Sequence, residues 1–140
     1  MWTAFISGVL MAVQGSLNAV LSKATGVVEA TFIVHITGTI VLAVALFIFS
    51  IGKGKLYPLA DVPWYIYLGG ILGVFIVYLV AVSIPAVGVS NATTAIIVGQ
   101  VFTALLIDHF GVFGLAASPF GSQQVIGLFL LAIGAKLLLK

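Results

Sequence analysis

The sequence contains no cysteine and no arginine, and each absence removes a class of function. Without cysteine, the chain can form neither disulfide bonds nor thiolate metal sites. Without arginine, and with only five lysines against three acidic residues, it offers no basic surface for a nucleic acid. Charged residues make up 6% of the chain, against about a quarter in an average soluble domain. The composition therefore predicts that most of this protein is not surrounded by water.

Most of the chain consists of long apolar stretches. The chain is 63% hydrophobic, its mean hydropathy is +1.38, and a helix needs about 20 apolar residues to cross a bilayer. Glycine, proline and polar residues divide it into five such stretches, and Pro85-Ala86-Val87-Gly88 is expected to end the third. We predict an all-α integral membrane protein, a single domain of residues 1–140, with a first helix that is retained and not cleaved as a signal peptide. The transmembrane helices are predicted at about residues 2–22, 27–51, 63–84, 90–107 and 123–139.

The lysines give little information about orientation. With five crossings, Lys53 and Lys55 lie on the side of the N-terminus, and Lys23 and Lys140 lie on the other, with Lys136 close enough to reach that side. Because the two sides are nearly balanced, we expect the chain to insert both ways up. This dual topology would allow an antiparallel homodimer in the lipid bilayer. The alternative is that the N-terminal amine or the lipid fixes one orientation.

Amide side chains lie at the depth of the bilayer in two of the predicted helices. Gln14 and Asn18 are four residues apart in helix 1 and share a face; in helix 4, Gln100 and Thr103 share a face. An amide without a partner in hydrocarbon is costly, so each needs a neighbouring helix or a polar cavity. We expect these four residues to bind substrate, and the open alternative is that they only join helices by hydrogen bonds.

Helix 2 carries two ionisable residues. His35 is about 12 Å into the helix, where ionisable side chains usually face the interior of a helix bundle, so we add it to the predicted substrate-binding residues. Glu29 is in the first turn, where its carboxylate also suits the helix dipole. Glu29 and His35 are about 120° apart around the helix and should not touch, although both remain candidates for coupling transport to protons.

Glycines predict close helix contacts. Gly127 and Gly134 recur seven residues apart in helix 5 and are predicted to pack at a dimer interface, with packing inside the chain as the alternative. Gly69 and Gly73 form a GxxxG pattern in helix 3.

Motifs for catalysis are missing. The sequence has no nucleophile elbow, phosphate-binding loop, metal cluster or cofactor motif, so we expect no enzymatic activity, no cofactor and no bound metal. Asp108-His109 resembles an acid–base pair, but its position at the end of helix 4 favours a solvated helix terminus.

Four segments carry a family resemblance: AVQGSLNAVL, PWYIYLGGILGVF, VGQVFTALLIDHFGVFG and QQVIGLFLLAIGAKLLL. They resemble the YdcZ-like family of five-helix proteins in the drug/metabolite transporter superfamily, which are proteins of the bacterial inner membrane. The resemblance covers nearly the whole chain. It implies half of a transporter that pairs antiparallel into a ten-helix assembly, with the substrate cavity between the subunits.

The resemblance also reveals a difference from the four-helix small multidrug exporters, which have a glutamate in the middle of the first helix. Gln14 occupies that depth here. A neutral amide cannot exchange a proton for a cation, so Glu29 or His35 would have to take over coupling.

The sequence thus predicts a transporter of an unknown small molecule that works by alternating access around a polar chamber. Two alternatives remain: a membrane scaffold or assembly partner that transports nothing, and one half of an obligate heterodimeric transporter.

Overall fold

The computed structural model describes residues 1–52, 54 and 62–139, and within these residues all regular structure is helical. Five α-helices follow one another: α1 Trp2–Thr25, α2 Val27–Ala43, α3 Leu68–Val87, α4 Val89–Phe110 and α5 Ser122–Leu138. A π-helical turn, Val44–Ile48, extends α2, and a short 3-10 helix, Trp64–Tyr67, precedes α3. The predicted polar connection with Lys53, Lys55 and Asp61, and the C-terminal Lys140, lie outside the described residues.

Four of the five helical segments in the described part of the chain are long and apolar enough to cross a membrane. They are Trp2–Thr25, Val27–Ile48, Trp64–Val87 and Val89–Phe110. The fifth helix, α5, has 17 residues and so a length of about 25 Å. For the described residues an all-helical structure, with helices able to cross a membrane, is therefore confirmed, and a fifth crossing by α5 remains a prediction.

The helices belong to two compact units. The first unit, Met1–Ala86, contains α1, α2 and nearly all of α3; the second unit begins at Val87 and contains α4 and α5. Within the first unit, α1 packs along α2 and meets α3 at Gly15. Within the second unit, α4 packs against α5.

Small residues form the contacts between helices. Among the described residues, the buried apolar side chains are Ala19, Ala30, Ala81, Ile84, Ala92 and Ala135, while most large aliphatic and aromatic side chains are exposed. Gly15 is a point of close approach, because a Cβ atom there would lie 3.0 Å from Val80 Cγ1 and 3.1 Å from Ile84 Cδ1. Helices in lipid associate in this way, since burying a leucine gains little when the surroundings are equally apolar.

Single glycines join α1 to α2 and α3 to α4. Gly26 has φ 103° and ψ 154°, and Gly88 has φ 88° and ψ 157°, a region of backbone conformation that is open essentially to glycine alone. In each case the glycine carbonyl accepts the first hydrogen bond of the next helix, from Ala30 N–H and Ala92 N–H respectively, at 3.0 Å. In each case one residue therefore separates the end of one helix from the start of the next.

When the π-helical turn is counted with α2 and the 3-10 helix with α3, the helix ends differ from the sequence expectation by up to three residues. The third helix continues through Pro85 to Val87, although Pro85 was expected to break it. Proline lacks the N–H group that would bond to the carbonyl one turn earlier, and its ring crowds that carbonyl. Because only two helical residues follow Pro85, few helical hydrogen bonds are affected. The break falls instead at Gly88, where the positive φ ends the helical conformation.

Candidate functional site

Most hydroxyl groups in the first unit bond to their own helix. Thr31 Oγ1, for example, donates to the Val27 carbonyl at 2.8 Å, and Thr39 Oγ1 donates to the His35 carbonyl at 2.8 Å. The same arrangement holds for Ser16, Ser22, Thr25, Thr37 and Ser83. A hydroxyl that is satisfied by its own helix needs no partner elsewhere. These residues are therefore weak candidates for binding a substrate.

The two amides of α1 have different surroundings. Asn18 is buried, with 6% of its surface exposed, on the face that Gly15 and Ala19 pack against the neighbouring helices. Gln14 is exposed, although it lies only one turn away. Neither amide hydrogen-bonds to another described residue. Gln14 is at the middle of the Trp2–Thr25 span, so its amide would face either lipid or a partner that the described residues do not supply.

His35 is fixed by a hydrogen bond within α2. Its Nδ1 lies 2.8 Å from the carbonyl oxygen of Thr31. Because a carbonyl only accepts, Nδ1 must carry the hydrogen, and in the neutral ring the lone pair is then on Nε2. Nε2 points toward α3, where it lies 3.8 Å from the place that a Cβ of residue 73 would occupy. α3 therefore faces this nitrogen with Gly73, which has no side chain.

A groove of about 580 Å³ separates α2 from α3 beside this imidazole. Its α2 wall is one helix face, since its residues follow one another at steps of three, one and three; its α3 wall is likewise one face. The lining residues are Val28, Thr31, Phe32 and His35 from α2, and Val74, Phe75, Tyr78 and Leu79 from α3. The Thr31 hydroxyl bonds to its own helix, and His35 and Tyr78 line the groove with carbon atoms only, so its surface is apolar throughout.

Tyr78 is a candidate that the sequence analysis did not select. It lies past the middle of the Trp64–Val87 span, and its hydroxyl makes no hydrogen bond to another described residue. Tyr65 and Tyr67, in contrast, lie at the start of the Trp64–Val87 span, a position that suits the membrane interface. The signal that would have identified Tyr78 is its depth, because a phenol far from the headgroups needs a polar partner.

Glu29 lies away from the groove. It is the third residue of α2 and is exposed, and its carboxylate folds back over Gly26, so that a side chain at position 26 would collide with it. A carboxylate in the first turn of a helix is stabilised by the helix dipole. This position fits the structural interpretation of Glu29, and its role in coupling remains a prediction.

The polar residues of α4 belong to the second unit. Gln100 and Thr103 are both exposed, and neither side chain bonds to another described residue. Gln100 is at the middle of the Val89–Phe110 span. A cavity of only about 40 Å³ lies between α4 and α5, and neither Gln100 nor Thr103 lines it. The structure thus brings Gln14, Asn18 and His35 into one unit and Gln100 with Thr103 into the other.

The end of α4 combines a solvated and a packed residue. Asp108 has an exposed side chain, and its carbonyl accepts a hydrogen bond from Ser118 N–H at 2.7 Å. The His109 ring packs against Phe120 with 4.4 Å between ring centroids, and its Nδ1 is buried without a partner among the described residues. The two side chains do not form an acid–base pair.

Residues 1–137 match the model of a family described as "Putative inner membrane exporter, YdcZ". The chain belongs to this YdcZ family. The sequence resemblance is therefore confirmed over nearly the whole length. No curated protein and no solved structure matches the chain.

Membership in the YdcZ family agrees with the helices described above. The family description names the inner membrane, and four helices of this protein are able to span one, so we describe it as an inner-membrane protein of a transporter family. The description names no substrate.

The predicted interface glycines of this YdcZ-family protein lie on open surface. A Cβ atom added to Gly127 or Gly134 would meet no described atom within 4 Å. Their alternative role, packing inside the chain, therefore finds no contact among the described residues. Nothing in a single chain tests the dimer interface itself.

Proposed function

We propose that this protein exports a small molecule across the inner membrane by alternating access, as an antiparallel homodimer around a polar chamber. The proposed lining is Gln14, Asn18, His35, Gln100 and Thr103. The family description supports export. In a two-fold dimer of this kind, the inward-open and outward-open states are near mirror images. Two copies of the same chain can therefore form the opening on either side of the membrane.

The observation that carries this proposal is the contrast between hydroxyls and amides. Most hydroxyls of α1 and α2 bond to their own helices, whereas Gln14 and Gln100, at the middle of two spans, have no partner among the described residues. Leaving an amide unpaired in hydrocarbon costs a few kcal/mol. A water-filled chamber shared by two subunits would satisfy these amides and leave them available to a substrate.

The near balance of lysines supports the antiparallel arrangement, because neither orientation is strongly favoured. Open glycines on α5 support a close contact between subunits, because their small surfaces allow helices to approach. Glu29 and His35 are the proposed coupling groups.

Transport by purified protein in liposomes tests the chamber. A panel of radiolabelled neutral, cationic and anionic solutes is first screened for one whose transport is saturable. The transport rates of the variants are then compared using that solute. We expect Gln14→Ala and Gln100→Ala each to reduce the rate at least about tenfold, as loss of a hydrogen bond worth about 1.4 kcal/mol in the transition state would do.

The matched control is Gln123→Ala. Gln123 is exposed in the first turn of α5, away from the middle of any span, and its loss should leave the rate within about twofold. Unchanged transport in both Gln14→Ala and Gln100→Ala would exclude a polar chamber lined by these amides. Absence of saturable flux for every class of solute would instead leave packing as the role of these amides.

Single-cysteine labelling tests the dimer, since the chain has no other cysteine. Cysteines at Ser118 and after Lys140 are predicted to lie on opposite faces of the membrane. Labelling of each site in about half of the molecules in intact cells indicates both orientations. Full labelling at one site and none at the other would exclude the antiparallel homodimer.

A further inference from the structure

The connection between α4 and α5, residues 111–121, is apolar and uncharged. Ser118 is its one polar side chain, and the sequence has no aspartate, glutamate, lysine or arginine between Asp108 and Lys136. Connections that lie in water are usually rich in polar residues. This connection therefore has the composition of a segment that contacts an apolar environment.

The connection is folded back on the end of α4. Ser118 N–H donates to the Asp108 carbonyl at 2.7 Å. Gly111 lies close to Ala117, because a Cβ atom at position 111 would be 3.0 Å from the Cβ atom of Ala117. Residues 111–121 thus form a packed turn, which is held at the level of the last turn of α4.

Two large apolar side chains of this turn expose most of their surface to the surroundings. Phe113 is 65% exposed and Leu115 is 56% exposed. Phe113 also has φ 61° and ψ 20°, a left-handed conformation that is unfavourable for a residue with a large side chain. Asparagine or glycine would suit this conformation better in a turn surrounded by water. A phenylalanine at this position indicates surroundings that favour its ring.

The length of α5 indicates how deep this turn lies. α5 is about 25 Å long, whereas the hydrocarbon core of a bilayer is about 30 Å thick. Lys136, in the last turn, keeps that end of α5 at the headgroups, so in the predicted crossing the other end lies inside the opposite boundary. The turn directly precedes this end. Its non-helical backbone needs water for hydrogen bonds, which limits its depth to the boundary between headgroups and acyl chains.

Lipid is the surrounding that these observations favour. The helix Val89–Phe110 is long and apolar enough to span the membrane, and the turn continues directly from its end. Phenylalanine and leucine at a membrane boundary gain free energy by leaving water for the acyl chains.

We infer that residues 111–121 form a lipid-binding turn, which lies among the headgroups of one leaflet and inserts Phe113 and Leu115 between the acyl chains. The inference goes beyond export and stands whether or not a solute is transported. Water and a second protein subunit are the competing surroundings, and each gives a different result in an accessibility measurement.

Spin labels on single cysteines distinguish the three surroundings, because the chain has no other cysteine. Nitroxides are attached to Phe113→Cys or Leu115→Cys in lipid nanodiscs, which leave both faces of the membrane open to the solution. Oxygen concentrates among acyl chains, whereas a nickel chelate stays in water. We expect the ratio of oxygen to nickel accessibility to be at least about threefold higher at both sites than at Lys23→Cys.

Two reference sites calibrate this measurement. Lys23→Cys, exposed in the last turn of α1, supplies the value for water, and Val13→Cys, half exposed at the middle of the Trp2–Thr25 span, supplies the value for acyl chains. A ratio at positions 113 and 115 equal to that of Lys23→Cys would place the turn in water and overturn the inference. Low accessibility to both reagents would indicate a covering protein subunit and would also overturn it.

Substitution of Phe113 tests whether its ring holds the turn in lipid. Phe113→Asn suits the left-handed backbone and removes the apolar ring, whereas Phe113→Leu keeps an apolar side chain. With the nitroxide on Leu115→Cys, nickel accessibility should rise at least about twofold in Phe113→Asn and stay within about 20% in Phe113→Leu. Equal nickel accessibility in the two variants would contradict the insertion of Phe113.

Discussion

Polar residues at the middle of the membrane-spanning helices have different surroundings in the two units of this protein. In the first unit, the imidazole of His35 lies beside a groove of about 580 Å³, whereas in the second unit the cavity between the helices is about 40 Å³ and Gln100 is outside it. A polar residue in a membrane helix becomes a binding group only where packing leaves room beside it. His35 has that room within its own unit, and Gln100 does not line the cavity of its unit.

Substitution of glycines in helix contacts is expected to have the largest effect and so tests this difference between the units first. In the first unit, Gly15→Leu would place its Cβ about 3 Å from Val80 and Ile84, so α1 and α3 must separate, and we expect a loss of about 3 kcal/mol of unfolding free energy. In the second unit, Gly99→Leu meets no described atom within 4 Å and should cost less than about 1 kcal/mol. Denaturant titration in micelles measures both.

Gly8→Leu is the control on the same helix, since Gly8 also lies in open space. If position 8 proves as sensitive as position 15, the close approach of α1 to α3 is not what holds the first unit together.

The glycine joints provide an intermediate test. Gly26→Ala and Gly88→Ala put alanine at similar positive φ, which costs about 1–3 kcal/mol in each case. Position 26 should cost about 1 kcal/mol more, because the carboxylate of Glu29 must move, whereas a Cβ at position 88 has open space. Thermal unfolding of the two variants in the same detergent compares them.

Adding Glu29→Ala to Gly26→Ala should recover this excess and leave the backbone cost. A double variant no more stable than Gly26→Ala alone would show that Glu29 does not crowd the joint.

Threonine hydroxyls provide the smallest test. Thr39→Val removes a hydroxyl that bonds only to the His35 carbonyl of its own helix, so transport should stay within about 20% and stability within about 0.5 kcal/mol. Thr103→Val removes a hydroxyl that has no partner among the described residues and is proposed to face the chamber, so transport should fall about threefold. Initial rates in liposomes distinguish the two, and equal rates would remove Thr103 from the chamber.

The sequence predicted helices well because apolar length and glycine breaks are local properties. It placed α2 at Val27 correctly, and it expected α3 to end near Pro85 because proline disfavours helix, although the glycine three residues later decides the end.

The candidate site was only partly predictable. The depth of His35 indicated a functional residue, but the orientation of its ring depends on the Thr31 carbonyl, and the space beside it depends on Gly73 of another helix. Tyr78 was missed because its role depends on which face of α3 lines the groove, and an almost uniformly apolar helix has no periodicity that reveals this. Pairing of helices, and not residue type, determines these features.

The one-residue joint at Gly26 has a consequence for how the protein enters the membrane during synthesis. Because no loop separates them, α1 and α2 form a helical hairpin. The two helices must then insert together. Lys23 and Glu29 lie three residues before and after that glycine, so the tip carries one positive and one negative side chain. Because orientation follows lysine and arginine and acidic residues contribute little, Glu29 does not cancel Lys23, and Lys23 gives this tip a weak preference for the cytoplasmic side.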